Sequence, residues 1–286
     1  MDNLKAKKRH PEEIAVYTAI YVCAAFSVLL LLGIIIYVFA KGARRVNWAF
    51  LTGVTSILHG TVGIAGNILN TLIIILLTMI ITTPIGVGAA IYLNEYAKPG
   101  KLVTVIIFAT ETLAGIPSII FGLFGMLFFG QLCHMGYSLL TGSLTLTLMV
   151  LPLVTRNTQE ALKTVPDSFR TGAVGLGAGK WYTIRTILLP SAMPGIVTGV
   201  ILAIGRIIGE SAALLFTAGS AHLPPKTFNA FLEKIFHSGG TLTIQLYLSA
   251  SKGEFEVAFG IAVVLLVIVL LINFGTKRLA KKLEKH

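Results

Sequence analysis

The stretch Gln159–Pro190, QEALKTVPDSFRTGAVGLGAGKWYTIRTILLP, is the longest polar interruption between two strongly apolar halves of the chain. Asp167 or Ser168 is placed to cap a short helix. Leu176-Gly177-Ala178-Gly179 supplies a break, and Lys180 to Leu189 offers a second amphipathic turn of helix before Pro190. A helix-glycine-helix hairpin of this kind suits a docking surface.

Outward from this stretch the chain is too apolar for a soluble domain of its size. Of 286 residues, 55% are hydrophobic and 12% charged, and the mean hydropathy is +0.84. Such a chain belongs in a membrane. The net charge of +11 invites a nucleic-acid reading. However, the basic residues sit in short segments flanking apolar runs, and no basic stripe with interleaved aromatics is present. Cys23 and Cys133 form neither a disulfide framework nor a metal spacing, so both read as packing residues.

Six spans are expected. The basic head Lys5, Lys7, Lys8 and Arg9 precedes an apolar run from Ile14 to Ala40. At about 1.5 Å per residue that run exceeds a bilayer core of roughly 30 Å and is too long for a cleaved signal peptide. Residues 1–65 therefore read as head, first span and loop. The second span covers about Gly66 to Leu93, loosened by Pro84, and the third about Leu102 to Phe129. In the third, Glu111, Gly115, Ser118, Gly122 and Gly125 recur at helical spacing and should share one face. The fourth runs from Leu139 to Val154 and the fifth from Pro190 to Thr217, on either side of a polar loop at 155–190. In the fifth, Gly195, Gly199 and Ala203 form one small-residue ridge; Gly205, Gly209, Ala213 and Thr217 form another. A long segment to Glu256 leads to the sixth span, Val257 to Phe274, within a core of 66–275, and to a basic tail at 276–286.

Lys and Arg are retained in the cytoplasm. With six spans, sixteen of them lie with the head, the second loop, the 155–190 loop and the tail, against six on the other side. Both termini and the 155–190 loop are therefore expected to be cytoplasmic.

An ionised group in mid-span costs about 3 kcal/mol and needs a partner or a water-filled cavity. Glu111, Arg206 and Glu210 are the three such residues. Arg206 and Glu210 are four apart, hence on one helical face, where they can neutralise each other as a structural pair. Alternatively Arg206 meets an oxyanion in transit, for which the guanidinium fork is suited.

Gly177 with Ile187, Leu189 and Pro190 resembles the cytoplasmic "EAA" loop of ATP-binding-cassette importer permeases, although Thr171-Gly172-Ala173 stands where that family usually has Glu-Ala-Ala. The stretch Gly205-Arg206-Ile207-Ile208-Gly209-Glu210-Ser211-Ala212-Ala213 is similar to the signature of phosphate importer permeases. Thr83 to Tyr96 and Leu113 to Ile119 narrow the likeness to the PstA type, over about Gly66 to Phe274. The resemblance implies an all-α type I importer permease with six transmembrane helices in the cell membrane. It implies a heterodimer with a PstC-type permease, two PstB-type ATPase subunits and an external phosphate-binding protein, with no cofactor and no nucleic acid. It places the ATPase contact at Thr171, Gly172, Ala173, Gly177, Ile187, Leu189 and Pro190. Arg206, Glu210, Ser211, Glu111 and Ser118 are the candidate pathway residues, with Glu111 and Glu210 accepting hydrogen bonds from a protonated phosphate.

Val174 to Trp181 superficially resembles a phosphate-cradling loop, but it starts on valine and has Trp181 where Mg²⁺ binding needs Ser or Thr. ATP binding by this chain is not expected. Histidines such as His59, His134 and His237 lack ligand spacing, so no metal is expected either. A membrane enzyme would need a nucleophile and base or a metal cluster, and a passive channel has no use for the 155–190 loop. A permease for sulfate or molybdate is the alternative of substance.

Overall fold

The computed structural model describes residues 11–56, 61–225 and 227–283. The basic head, His59 and Lys285 lie outside them.

The first apolar run is helix α1 (Pro11–Gly42), and its apolar window is uncovered along its whole length. A helix apolar all round is one that lipid must cover. A 3₁₀ turn at Ala43–Arg45 leads to α2 (Trp48–Thr52), capped by Asn47, whose Oδ1 accepts from the Phe50 amide at 2.8 Å. Strands β1 (Val54–Ser56) and β2 (Thr61–Ile64) pair antiparallel, so one small hairpin accompanies the otherwise helical spans. Helix α3 (Ala65–Ile91) runs unbroken through Pro84 and ends in a π turn at Tyr92–Tyr96.

The third span differs from expectation. Helices α4 (Lys101–Gly115) and α5 (Ser118–Gly125) meet at 104°. Pro117 forces the residue before it out of the helical region, and Ile116 is extended at ψ 132°. The helical register is reset there, so Glu111 and Gly115 do not share a face with Ser118, Gly122 and Gly125. Gly122 and Gly125 do allow close approach, to Ala213 and Thr145, while Gly115 faces open space.

Helix α6 (Leu139–Lys163) is the hub, with two-thirds of its apolar window buried against α3, α5 and the following long helix. Its start is capped by Ser138, whose Oγ accepts from the Thr141 amide at 3.1 Å. Next come α7 (Asp167–Gly175), α8 (Lys180–Thr183), a π turn at Ile184–Leu188 and α9 (Leu189–Gly209). Neither Asp167 nor Ser168 caps α7: Pro166 occupies the cap and Asp167 is the first helical residue. Pro190 does not divide the helix either, since Lys180–Gly209 is one run. The hydrogen bond Pro190 cannot donate falls within the widened π turn just before it. That run stops at Glu210-Ser211, and α10 (Ala212–Thr217) begins afresh. Of the two expected ridges, Gly195, Gly199 and Ala203 pack on α6, but Gly205 and Gly209 face open space.

Helices α11 (Phe228–Lys234), α12 (Leu242–Ser251) and α13 (Phe255–Leu283) complete the chain. The segment before α13 is tied to the start of α3: Asn67 and Asn70 donate to the Gly240 carbonyl at 3.0 Å, and Asn70 to Ala221 at 3.1 Å. Gly42 packs on the Phe259 backbone at this same end, with α1 leaving and α13 entering. Hence α1 starts and α13 finishes toward the opposite end, the one carrying α7.

Candidate functional site

The α6–α9 packing sets the register of the charged residues. Gly195 lies against Ala161 and Gly199 against Asn157, so the helices run antiparallel. Continuing the register brings Arg206 opposite Met149, Pro152 and Leu153. Met149 is near the middle of α6, which puts Arg206 at mid-depth in a bundle roughly 35 Å thick.

A cavity of about 230 Å³ lies there, lined by Arg206, Arg156, Glu111, Thr110 and apolar groups of α4 and α6. A second cavity of about 190 Å³ shares Thr110, Glu111 and Arg156 and continues past Gln159 and Glu160 to Lys163. Together they make a polar path from mid-depth to the end that carries α7. Three cations flank it, with Glu111 and Glu160 between them. Glu160 is partly committed, as its Oε1 meets Arg156 Nε at 3.3 Å.

Of the expected site residues, Arg206 and Glu111 are brought together. Arg156 joins them, although from sequence it only opened the 155–190 loop. The signal was present: Met149, Leu153, Arg156, Glu160 and Lys163 recur at steps of three or four and form one stripe of α6. Arg206 and Glu210 do not pair. Glu210 lies beyond the helix end in extended backbone, its Oε1 accepts from the Ala213 amide at 3.0 Å, and its carbonyl accepts from Thr243 Oγ1 at 2.8 Å. Glu210 thus starts α10. Ser211 occupies that break, and Ser118 opens α5 after the Pro117 bend.

At the far end of this path, α7 and α8 form an exposed hairpin. Gly177, at φ +79°, makes the reversal; its amide donates to Val174 at 2.9 Å and that of Ala178 donates to Ala173 at 2.9 Å. A left-handed position of this kind favours glycine. Ala173 is buried and Thr171 Oγ1 donates to Asp167, whereas Gly172 is open and Leu176 is 91% exposed. Val174, Trp181 and Tyr182 are exposed beside it. Ile187 lies in the π turn, and Leu189 and Pro190 begin α9. The hairpin is held by Arg170, which bonds Glu95 at 2.9 Å and the carbonyls of Leu162 and Val165 at 3.0 Å. The Glu95 hydrogen bond, ahead of burial, keeps this guanidinium above its ordinary pKa. Lys180 Nζ lies 4.7 Å from the Tyr96 ring centre.

Among the described residues no three His, Cys, Asp or Glu side chains gather as a metal site. Cys23 and Cys133 are exposed. The segment from Val174 to Trp181 follows a helix, where a phosphate-cradling loop would follow a strand.

Residues 82–286 match the family described as binding-protein-dependent transport system inner membrane component. The chain belongs to that family. It is a multi-pass cell-membrane permease subunit of an ATP-binding-cassette importer, not an enzyme. It is 36% identical over 273 residues to a probable ABC transporter permease, YqgI, of Bacillus subtilis, covering 92% of this chain and 93% of that protein. It is 34% identical over 244 residues to the phosphate transport system permease PstA of Xylella fastidiosa, covering 84% and 82%. With PstA 2 of Mycobacterium bovis it shares 32% over 261 residues, covering 90% and 84%. Among solved structures, a bacterial alginate ABC transporter in complex with an alginate pentasaccharide-bound periplasmic protein shares the fold, with a TM-score of 0.71 over 96% of each chain at 14% identity. The MetNI methionine ABC transporter shares it with a TM-score of 0.58 over 77% of this chain and 94% of that one, at 21% identity. The expected type I importer permease architecture is therefore the observed one. Among the described residues five helices are long and apolar enough to cross a membrane, and the bent α4–α5 pair, counted as one span, makes a sixth.

Proposed function

We propose that this permease carries inorganic phosphate, with Arg206 as the principal contact of the anion at mid-depth. The observation that carries the reading is the open cavity that Arg206, Arg156 and Glu111 line together. Guanidinium forks suit a tetrahedral oxyanion. A carboxylate beside them can accept a hydrogen bond from protonated phosphate, and sulfate at neutral pH has no such proton. The PstA names among the relatives favour the same substrate. Arg156 and Lys163 lead the anion toward the α7 end, and Glu210, Ser211 and Ser118 at the two helix breaks continue the pathway on the other side.

In this reading the α7–α8 hairpin is cytoplasmic and seats an ATPase. The start of α1 and the end of α13 share its side. A sister permease of PstC type covers α4, none of whose residues is buried. Two PstB-type ATPase subunits close on ATP and rock the spans between inward and outward access. An external phosphate-binding protein docks on the opposite face, where Leu223, Leu232 and Phe236 are exposed.

The test is ATP-driven uptake of radiolabelled phosphate by proteoliposomes holding this chain with its sister permease, ATPase and binding protein. Uptake that excess sulfate and molybdate leave unchanged is the expected result. Transport of a competitor without phosphate uptake would assign the same architecture to another oxyanion.

A further inference from the structure

At the end opposite the hairpin, a cavity of about 1040 Å³ opens between the end of α1 and the start of α13. Lys41, Arg44 and Arg45 are in its lining. Tyr37 and Phe259 also line it, as an edge-to-face pair with ring centres 5.7 Å apart, with Phe255. Nothing in the proposed transport path uses this site.

The geometry is fixed rather than incidental. Gly42 seats α1 directly on the Phe259 backbone, which sets the height of the three cations that flank it. The stem of Arg45 lies over Gly260, and its guanidinium carbon is 5.8 Å from the Phe50 ring centre. Arg45 Nε is buried and has no hydrogen-bond partner. The chain itself encloses Nε, but Arg45 as a whole is only part-buried and lines the cavity, so its charge is offered to an anion there. Among the described residues none of the three cations is ion-paired. Glu256, the one carboxylate in the lining, leaves the cavity two charges positive.

Its place relative to the membrane narrows the anion. The apolar run of α1 ends at Ala40 and that of α13 begins at Val257, so the cavity straddles the level where acyl chains give way to headgroups. Aromatic rings favour that level. One side of the cavity is α1, which is uncovered along its apolar window. A diffusible anion would find only the cations, whereas a phospholipid would satisfy the cations with its phosphate and the rings and α1 with its chains. We propose that this cavity binds the phosphate of an anionic phospholipid and so fixes α1 to the permease core.

The assembled importer, delipidated in detergent, is titrated with phosphatidylglycerol, phosphatidylcholine or inorganic phosphate, and bound lipid is counted by native mass spectrometry. One phosphatidylglycerol should be retained in preference to phosphatidylcholine and should resist millimolar inorganic phosphate. Arg45→Gln risks misfolding because its stem packs on Gly260, so the exposed Lys41 and Arg44 are substituted instead. Each neutralised cation should weaken retention about fivefold, and Lys41→Gln with Arg44→Gln about 25-fold. Glu256→Gln should strengthen it about fivefold. Retention that neither variant moves, or equal retention of phosphatidylcholine, would overturn the assignment. Displacement by inorganic phosphate would replace the lipid with a free anion and overturn it too.

Discussion

Arg170 Nη2 lies 2.9 Å from Glu95 Oε1 and thereby joins the α7–α8 hairpin to the end of α3, across a sequence separation of 75. The Glu95 side chain is 8% exposed and that of Arg170 23%. Losing Glu95 leaves Arg170 with Asp167 Oδ1 at 3.0 Å and two backbone carbonyls. Losing Arg170 removes the cation from a nearly enclosed carboxylate, so the second change should cost more, about 1–3 kcal/mol. The pair ties the exposed hairpin to a spanning helix, so its loss should reach transport before it reaches insertion. Arg170→Ala or Glu95→Gln should lower uptake per ATP hydrolysed in the reconstituted importer while the chain still inserts. Exchanging the two charges should not restore it, because a carboxylate at 170 cannot donate to the carbonyls of Leu162 and Val165 and would face Asp167. Uptake per ATP equal to the parent's in both single variants would remove the pair from coupling.

Arg206 and Glu210 are expected to respond differently, because they do not pair. Arg206→Ala removes charge-assisted hydrogen bonds to the anion and should cut uptake at low phosphate by at least about tenfold. Arg206→Lys should recover little, since a point charge cannot replace the fork. Glu210→Gln keeps an oxygen for the Ala213 amide, so thermal stability should hold; Glu210→Ala loses the cap and about 1 kcal/mol. Uptake and melting curves of the four variants separate anion contact from helix start. Full uptake by Arg206→Ala would end the proposed role.

Much of this is legible in the sequence. Long apolar runs with flanking Lys and Arg define the spans, because bilayer thickness and charge retention act on the sequence directly. Gly177 marks the hairpin break, and Gly195 and Gly199 mark a close helix approach, though not that α6 is the partner. What failed was periodicity carried across a break. Pro117 turns the chain by 104°, and the helix ends at Gly209, so residues three or four apart on either side of those points do not share a face. The first break is marked by proline; the second is marked only by Gly209 and by Glu210 three residues before Ala213, and it is also held by Thr243, 33 residues away. Arg156 does not stand out in the sequence because the apolar run ends at Val154, whereas the helix continues to Lys163.

The two glycine ridges give opposite forecasts. A Cβ on Gly199 would meet Asn157 Cβ at 2.6 Å, so Gly199→Val should cost about 1–3 kcal/mol and lower the melting temperature by several degrees. Gly205 has open space beside it, and Gly205→Ala should leave the melting temperature of the purified chain unchanged or slightly raised, alanine being the better helix former. Circular dichroism melts in one detergent decide the matter. Equal losses in both would mean that Gly205 is packed within the chain.

The hairpin tip offers the sharpest separation of folding from partnership. Leu176 is 91% exposed, and Val174, Trp181 and Tyr182 surround it with further uncovered apolar surface, a patch that water alone should not be left to cover. Leu176→Asp touches no packed neighbour, so insertion and melting temperature should match the parent. If an ATPase covers the tip, co-purification of that subunit should fall sharply. Gly177→Ala acts on the same surface through the backbone: at φ +79° a Cβ costs about 1–2 kcal/mol, and the hairpin should relax into another turn. Both variants should therefore lose ATPase retention, one by charge and one by shape. Retention unchanged in both would place the ATPase contact elsewhere on the chain.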